Sequence, residues 1–186
     1  TPAVVNIAVV GTAADARNPL LEDPFFRRFF EGPDAPRLPP RVPRQSIGSG
    51  VIIDGHEGLV VTNHHVVQGA DRIIVTLSDR REFNATLVGS DAGTDVALVR
   101  VMTDDPSFAD IPIGDSNAVA VGDYVVAIGN PFGLGQTATA GIVSAMGRSG
   151  VNIESYEDFI QTDASINPGN SGGALVDINA RLLGVN

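Results

Sequence analysis

The sequence predicts an all-β fold: two successive six-stranded antiparallel barrels, the second lacking its last strand. Three observations carry this expectation. The Val/Ile-rich runs are short and closely spaced. Glycine (21) and proline (12) are plentiful and fall between them as turn signals. The runs also separate into two sets, on either side of a charged, proline-bearing stretch at 103–118.

Taken in order, Ala3-Val4-Val5-Asn6-Ile7-Ala8-Val9-Val10 reads as the first strand. Residues 12–46 then break the rhythm with Asp, Glu, Arg and many prolines, and read as a long loop of the kind that carries function or disorder. Within it, Pro24-Phe25-Phe26-Arg27-Arg28-Phe29-Phe30 spaces its phenylalanines as one face of a short helix and holds half of the chain's eight Phe residues. The cluster either packs back on its own domain or docks a partner or serves as a lid, and the latter is the reading preferred for apolar residues on a long loop. Residues 47–54 and 58–63 read as a hairpin pair, followed by His64-His65-Val66-Val67 and a turn at Gln68-Gly69. Strands are expected at 72–78, 82–90 and 95–102. The second set comprises 123–129, 137–147, 158–162, 173–178 and 181–186, where the chain stops inside or just after a strand. The expected organisation is an N-terminal barrel over 1–102, a linker over 103–118 and an incomplete C-terminal barrel over 119–186.

Composition excludes several chemistries. Net charge is −10, which argues against a nucleic-acid footprint. All 12 basic residues are arginine, which removes a Walker A lysine, a Ser-Lys dyad and any Schiff-base lysine. The absence of cysteine removes disulfides, thiol nucleophiles and cysteine zinc sites. Hydrophobic residues make up 43%, enough for a real core, but no run approaches the roughly 18 residues of a membrane span. The chain begins at Thr1 with no basic-then-apolar leader, so any targeting segment is expected to have been removed or left out.

The chemistry centres on Asn167-Pro168-Gly169-Asn170-Ser171-Gly172-Gly173. Glycines allow tight backbone and close ligand approach, as a nucleophilic hydroxyl needs when neighbouring N–H groups must face a reacting carbonyl. A surface serine in a glycine-rich turn is the plain alternative. Of the three histidines, His56 sits in a polar turn and reads as a solvated loop residue. His64 and His65 end an apolar strand. No third ligand at recognisable spacing supports a metal there, and one of the pair as general base is better motivated, because imidazole titrates near pH 6.5. Asp95, where a loop enters a buried strand, is the best orienting carboxylate, with a turn-capping role as its alternative. Chain order then selects the architecture. Gly169-Asn170-Ser171-Gly172-Gly173 formally matches a nucleophile elbow, but that elbow needs serine first and histidine last, and no histidine follows Ser171. His before Asp before Ser is the chymotrypsin order.

These segments resemble a known family. Thr62-Asn63-His64-His65-Val66-Val67, Thr94-Asp95-Val96-Ala97-Leu98-Val99 and Asn167–Gly173 look like the three triad motifs of the HtrA/Deg (Do-like) serine proteases. Gly48-Ser49-Gly50-Val51, Ala127-Ile128-Gly129-Asn130-Pro131-Phe132-Gly133 and Thr139-Ala140-Gly141-Ile142-Val143-Ser144 are similar to the same family. The resemblance implies a triad of His65, Asp95 and Ser171, with His64 at a variable motif position, and an oxyanion hole from the N–H groups of Gly169 and Ser171. It implies an uncharged substrate pocket at Ser165, Ile166 and Asn167, hence cleavage after small aliphatic residues. Asn170 stands where digestive relatives carry the aspartate that binds a freed N-terminus, so ordering of the loop around Arg148–Phe159 is the expected activation route. The resemblance further implies a periplasmic, ATP-independent endopeptidase acting on unfolded or damaged proteins. It would need no cofactor or metal, combine cleavage with chaperone activity and assemble as a homotrimer or larger homo-oligomer. PDZ modules of the family are absent from this sequence, and the Phe-rich loop resembles one that reaches a neighbouring protomer.

Overall fold

The computed structural model describes residues 1–11, 44–104, 106–130, 135–148, 159–167 and 169–186. The Phe-rich segment at 24–30 and most of the loop at 148–159 lie outside these. Eleven strands are present among the described residues: β1 (Val4–Gly11), β2 (Arg44–Asp54), β3 (Leu59–Asn63), β4 (Arg72–Thr76), β5 (Glu82–Asp91), β6 (Val96–Val101), β7 (Tyr124–Gly129), β8 (Thr137–Arg148), β9 (Phe159–Thr162), β10 (Ala174–Asp177) and β11 (Leu182–Val185). One helical turn, α1 (His64–Val67), follows β3, and a 3-10 turn covers Ser116–Ala118. No helix of the described residues is long and apolar enough to cross a membrane.

The first six strands close into a barrel in the order β1-β2-β3-β6-β5-β4, and the last five form an open sheet, β11-β10-β7-β8-β9. All strand pairs are antiparallel, as the double-barrel expectation requires. Strand bounds differ from the sequence reading at a few ends. β2 begins at Arg44, not Ile47, because its pairing with β1 runs on to Gly11↔Arg44. Asp95 stays outside β6, in a turn with φ 53, and the strand proper starts at Val96.

Alternation along the strands explains how the two sheets share their cores. In β7, Val125 and Ala127 enter the core of the second sheet, while Val126 and Ile128 on the opposite face pack against the barrel core. In β10, Leu175 joins the second core, whereas Ala174 and Val176 join the first. The barrel interior is filled by Val5, Ile7, Ile52, Val60, Val75 and Val99, each at 1% exposure or less, and such β-branched packing suits a pleated sheet. The stretch after β6 also contributes: Ile113 forms a parallel bridge with Leu182 of β11. Two sheets sharing apolar faces leave a seam between them, and the candidate site residues lie along it.

Candidate active site

The antiparallel register of β3 and β6 builds the first half of the site. Asn63, the last residue of β3, faces Val96, the first of β6. The residues just after β3 and just before β6 are therefore neighbours: His64 and His65 on one side, Asp95 on the other. Asp95 adopts a left-handed conformation, φ 53, that an aspartate tolerates at some cost. Four hydrogen bonds hold it there. Its backbone carbonyl accepts from the His64 N–H at 3.0 Å and from Asn63 Nδ2 at 3.1 Å. Its carboxylate accepts from the His65 N–H at 2.9 Å through Oδ1, while Oδ2 lies 2.7 Å from His65 Nδ1.

Burial pushes the Asp95 carboxyl up. The hydrogen bonds from the His65 ring and backbone, with the positive charge available on His65 and His64, outweigh that effect and hold it below the usual carboxylate range. A carboxylate kept ionised against Nδ1 favours the tautomer with its proton on Nδ1, which leaves Nε2 as the acceptor. Nε2 of His65 is buried and has no hydrogen-bond partner among the described residues, Ser171 Oγ included.

The second half is the turn before β10. Asn170 N–H donates to the Asn167 carbonyl at 3.0 Å, closing a four-residue turn whose third residue, Gly169, has φ 93. Positive φ at that position suits glycine, which has no Cβ to clash. Gly173 N–H donates to the Asn170 carbonyl at 2.8 Å, and Gly172 N–H to the Asn186 carbonyl at 2.9 Å. The N–H groups of Gly169 and Ser171 donate to no described residue. Asn170 is buried to 1% exposure; its Oδ1 accepts from Thr137 Oγ1 at 3.1 Å and its Nδ2 has no partner. Gly129 at the end of β7 makes room for it, since a Cβ there would sit 2.8 Å from Asn170 Cα.

The turn is seated on the barrel by Ser49 of β2. Ser49 N–H donates to the Ser171 carbonyl at 2.8 Å, and Ser49 Oγ donates to the Gly169 carbonyl at 2.5 Å. The sequence reading quoted Ser49 within a motif but gave it no role. Its signal was a serine between two glycines before an apolar run. Ser165, Ile166 and Asn167 are exposed beside the turn, with the Ser165 carbonyl accepting from Thr139 Oγ1 at 2.7 Å. His56 is an exposed turn residue whose N–H caps Asp54 Oδ1 at 2.9 Å.

Comparison with known proteins decides the family. A model described as the trypsin-like peptidase domain matches residues 48–185. The chain belongs to that family. Its relatives are HtrA/Deg serine proteases. The periplasmic pH-dependent serine endoprotease DegQ of Escherichia coli is 53% identical over the whole chain, which covers 39% of that relative. The periplasmic serine endoprotease DegP of Salmonella typhimurium is 59% identical over 141 residues, 76% of this chain and 30% of the relative. Among solved structures, the HtrA-type protease AlgW with a tripeptide matches with a TM-score of 0.76 at 43% identity, covering all of this chain and 50% of that one. This HtrA/Deg chain thus spans well under half the length of the curated relatives it matches.

Proposed function

We propose that the chain is the protease portion of a serine endopeptidase that cleaves unfolded or damaged polypeptide through an acyl-enzyme. The observation that carries this reading is the His65 imidazole, held through Nδ1 by an ionised Asp95 while its Nε2 has no partner. In this reading a bound peptide brings Ser171 Oγ and Nε2 into hydrogen-bonding distance, a tightening common when substrate enters. Oγ attacks the scissile carbonyl as His65 takes its proton. The resulting oxyanion is met by the N–H groups of Gly169 and Ser171. Collapse breaks the C–N bond, and His65 returns the proton to the departing amine. Water, deprotonated by His65, then hydrolyses the ester and restores Ser171.

The substrate pocket is assigned to Ser165, Ile166 and Asn167, whose lack of charge favours small aliphatic side chains before the cleaved bond. Quality-control function, an added chaperone role, a periplasmic setting and homo-oligomeric assembly belong to the same proposal; they rest on the family resemblance, and the periplasmic setting also on the relatives' names. The test is hydrolysis of casein and labelling by a fluorophosphonate. Both are expected for the native sequence, and Ser171→Ala is expected to lower turnover by up to about a million-fold. Casein cleavage that survives Ser171→Ala in large part refutes the mechanism.

A further inference from the structure

We infer that Ser49 is a positioning residue for the oxyanion hole: its hydroxyl sets the peptide plane between the two donor N–H groups. The inference rests on the protease reading above. Ser49 is fully buried and lies on a different sheet from the turn it touches, more than a hundred residues away in sequence.

The hydroxyl is used in both directions. It accepts the Asn130 N–H at 2.8 Å, and that donor, being a backbone amide, leaves the hydroxyl proton to be given elsewhere. The proton goes to the Gly169 carbonyl at 2.5 Å. That carbonyl belongs to the Gly169–Asn170 peptide, whose N–H is held by the Asn167 carbonyl at 3.0 Å. The middle peptide is thus pinned at both ends. The donors expected to form the hole lie on either side of it, in the peptides that end at Gly169 and at Ser171. Rotation of the middle plane turns both of them. The plane on the far side of the Ser171 donor is pinned in the same way, its carbonyl on Ser171 by the Ser49 N–H and its N–H on Gly172 by the Asn186 carbonyl.

Neighbouring bonds hold Ser49 itself in place. Thr62 Oγ1 donates to the Ser49 carbonyl at 2.7 Å, and Asn6 Nδ2 donates to the carbonyls of Gly48 and Asn130 at 3.2 and 3.0 Å. Asn130, just after β7, and Gly169, just before β10, meet at a single hydroxyl supplied by the barrel. An alanine can neither accept nor donate there.

The test compares Ser49→Ala with Thr62→Val in the full chain. Thr62→Val removes the buried hydrogen bond to the Ser49 carbonyl while leaving the Ser49 hydroxyl, and its bond to the Gly169 carbonyl, in place. Ser49→Ala is expected to lower kcat about 10- to 100-fold, with KM within about twofold. Binding of a peptide boronic acid, which forms a tetrahedral adduct, is expected to weaken by a similar factor, while binding of the corresponding product peptide is unchanged. Thr62→Val is expected to lower the melting temperature and to reduce kcat by no more than about threefold. If Ser49→Ala does not fold, Ser49→Cys, with a weaker donor, is expected to fold and to show an intermediate kcat loss. Equal losses of kcat in the Ser49 and Thr62 variants, or parallel losses of boronate and product binding, overturn the inference. A native sequence that neither hydrolyses casein nor takes fluorophosphonate overturns the protease reading and the inference together, whereas an active native sequence with a fully active Ser49→Ala overturns the inference alone.

Discussion

Asp95 engages His65 twice, through the backbone N–H at 2.9 Å and through ring Nδ1 at 2.7 Å, one carboxylate oxygen for each. The backbone bond anchors the carboxylate independently of the ring, so the ring bond is oriented before any substrate arrives. Asparagine at position 95 keeps an oxygen for the His65 N–H but presents an NH2 group to the ring, which favours the wrong tautomer. Asp95→Asn is therefore expected to retain the fold and to lower kcat by about ten-thousand-fold. Circular dichroism with steady-state hydrolysis checks both parts, and a variant with near-native turnover would remove Asp95 from the mechanism.

Acid sensitivity should follow the same group. The Asp95 carboxyl is depressed in the folded state below its ordinary value of 3.8. Its contribution to stability is present above that value and is lost as pH falls through the lower folded value, because the unfolded chain then binds more protons. Asp79, Asp91 and Asp177 are depressed as well, through backbone N–H bonds from Arg81, Gly93 and Arg181. Denaturant unfolding of Asp95→Asn below pH 4 should therefore lose stability less steeply than the native sequence, with the slope reduced but not abolished.

Gly172 tests the seating of the turn. Its φ is 81, and a Cβ there would strike the Ser49 carbonyl oxygen and Thr62 Oγ1. Gly172→Ala is expected to destabilise the fold by about 2 kcal/mol or more, through left-handed strain plus a clash with backbone that cannot swing away. Chemical denaturation measures this directly.

Substrate preference tests the assignment of Ser165, Ile166 and Asn167. A peptide library should show strongest cleavage after valine, alanine or similar residues. Strong cleavage after arginine would demand an acidic pocket and contradict the assignment.

Much of this architecture could be read from residue order alone, for identifiable reasons. The period-two burial of Tyr124–Gly129 and the turn residues around each strand report locally on local structure. Asp95 was legible as the loop residue entering a buried strand, but its left-handed backbone was not, because the bonds that impose it come from Asn63, His64 and His65 across the barrel rim. The short helix at His64–Val67 was likewise hidden, since four residues carry too little periodicity. Ser49 was the clearest omission. A serine inside a strand states neither which face it occupies nor what crosses the seam to meet it, and its partners Asn130 and Gly169 are distant in sequence.

The glycines on either side of Ser49 give its placement a further meaning. β2 meets β1 through Ile7↔Gly48, Asn6↔Ser49 and Val5↔Gly50, and β1 supplies much of the barrel core. A slip of one residue in that pairing would deliver a glycine where the hydroxyl belongs and turn the serine inward. On the reading given to Ser49, misassembled chains would be silent as enzymes, so cleavage would be licensed by correct strand pairing. Under the proposed function, an enzyme that digests unfolded chains would thereby be kept inert while it is one itself.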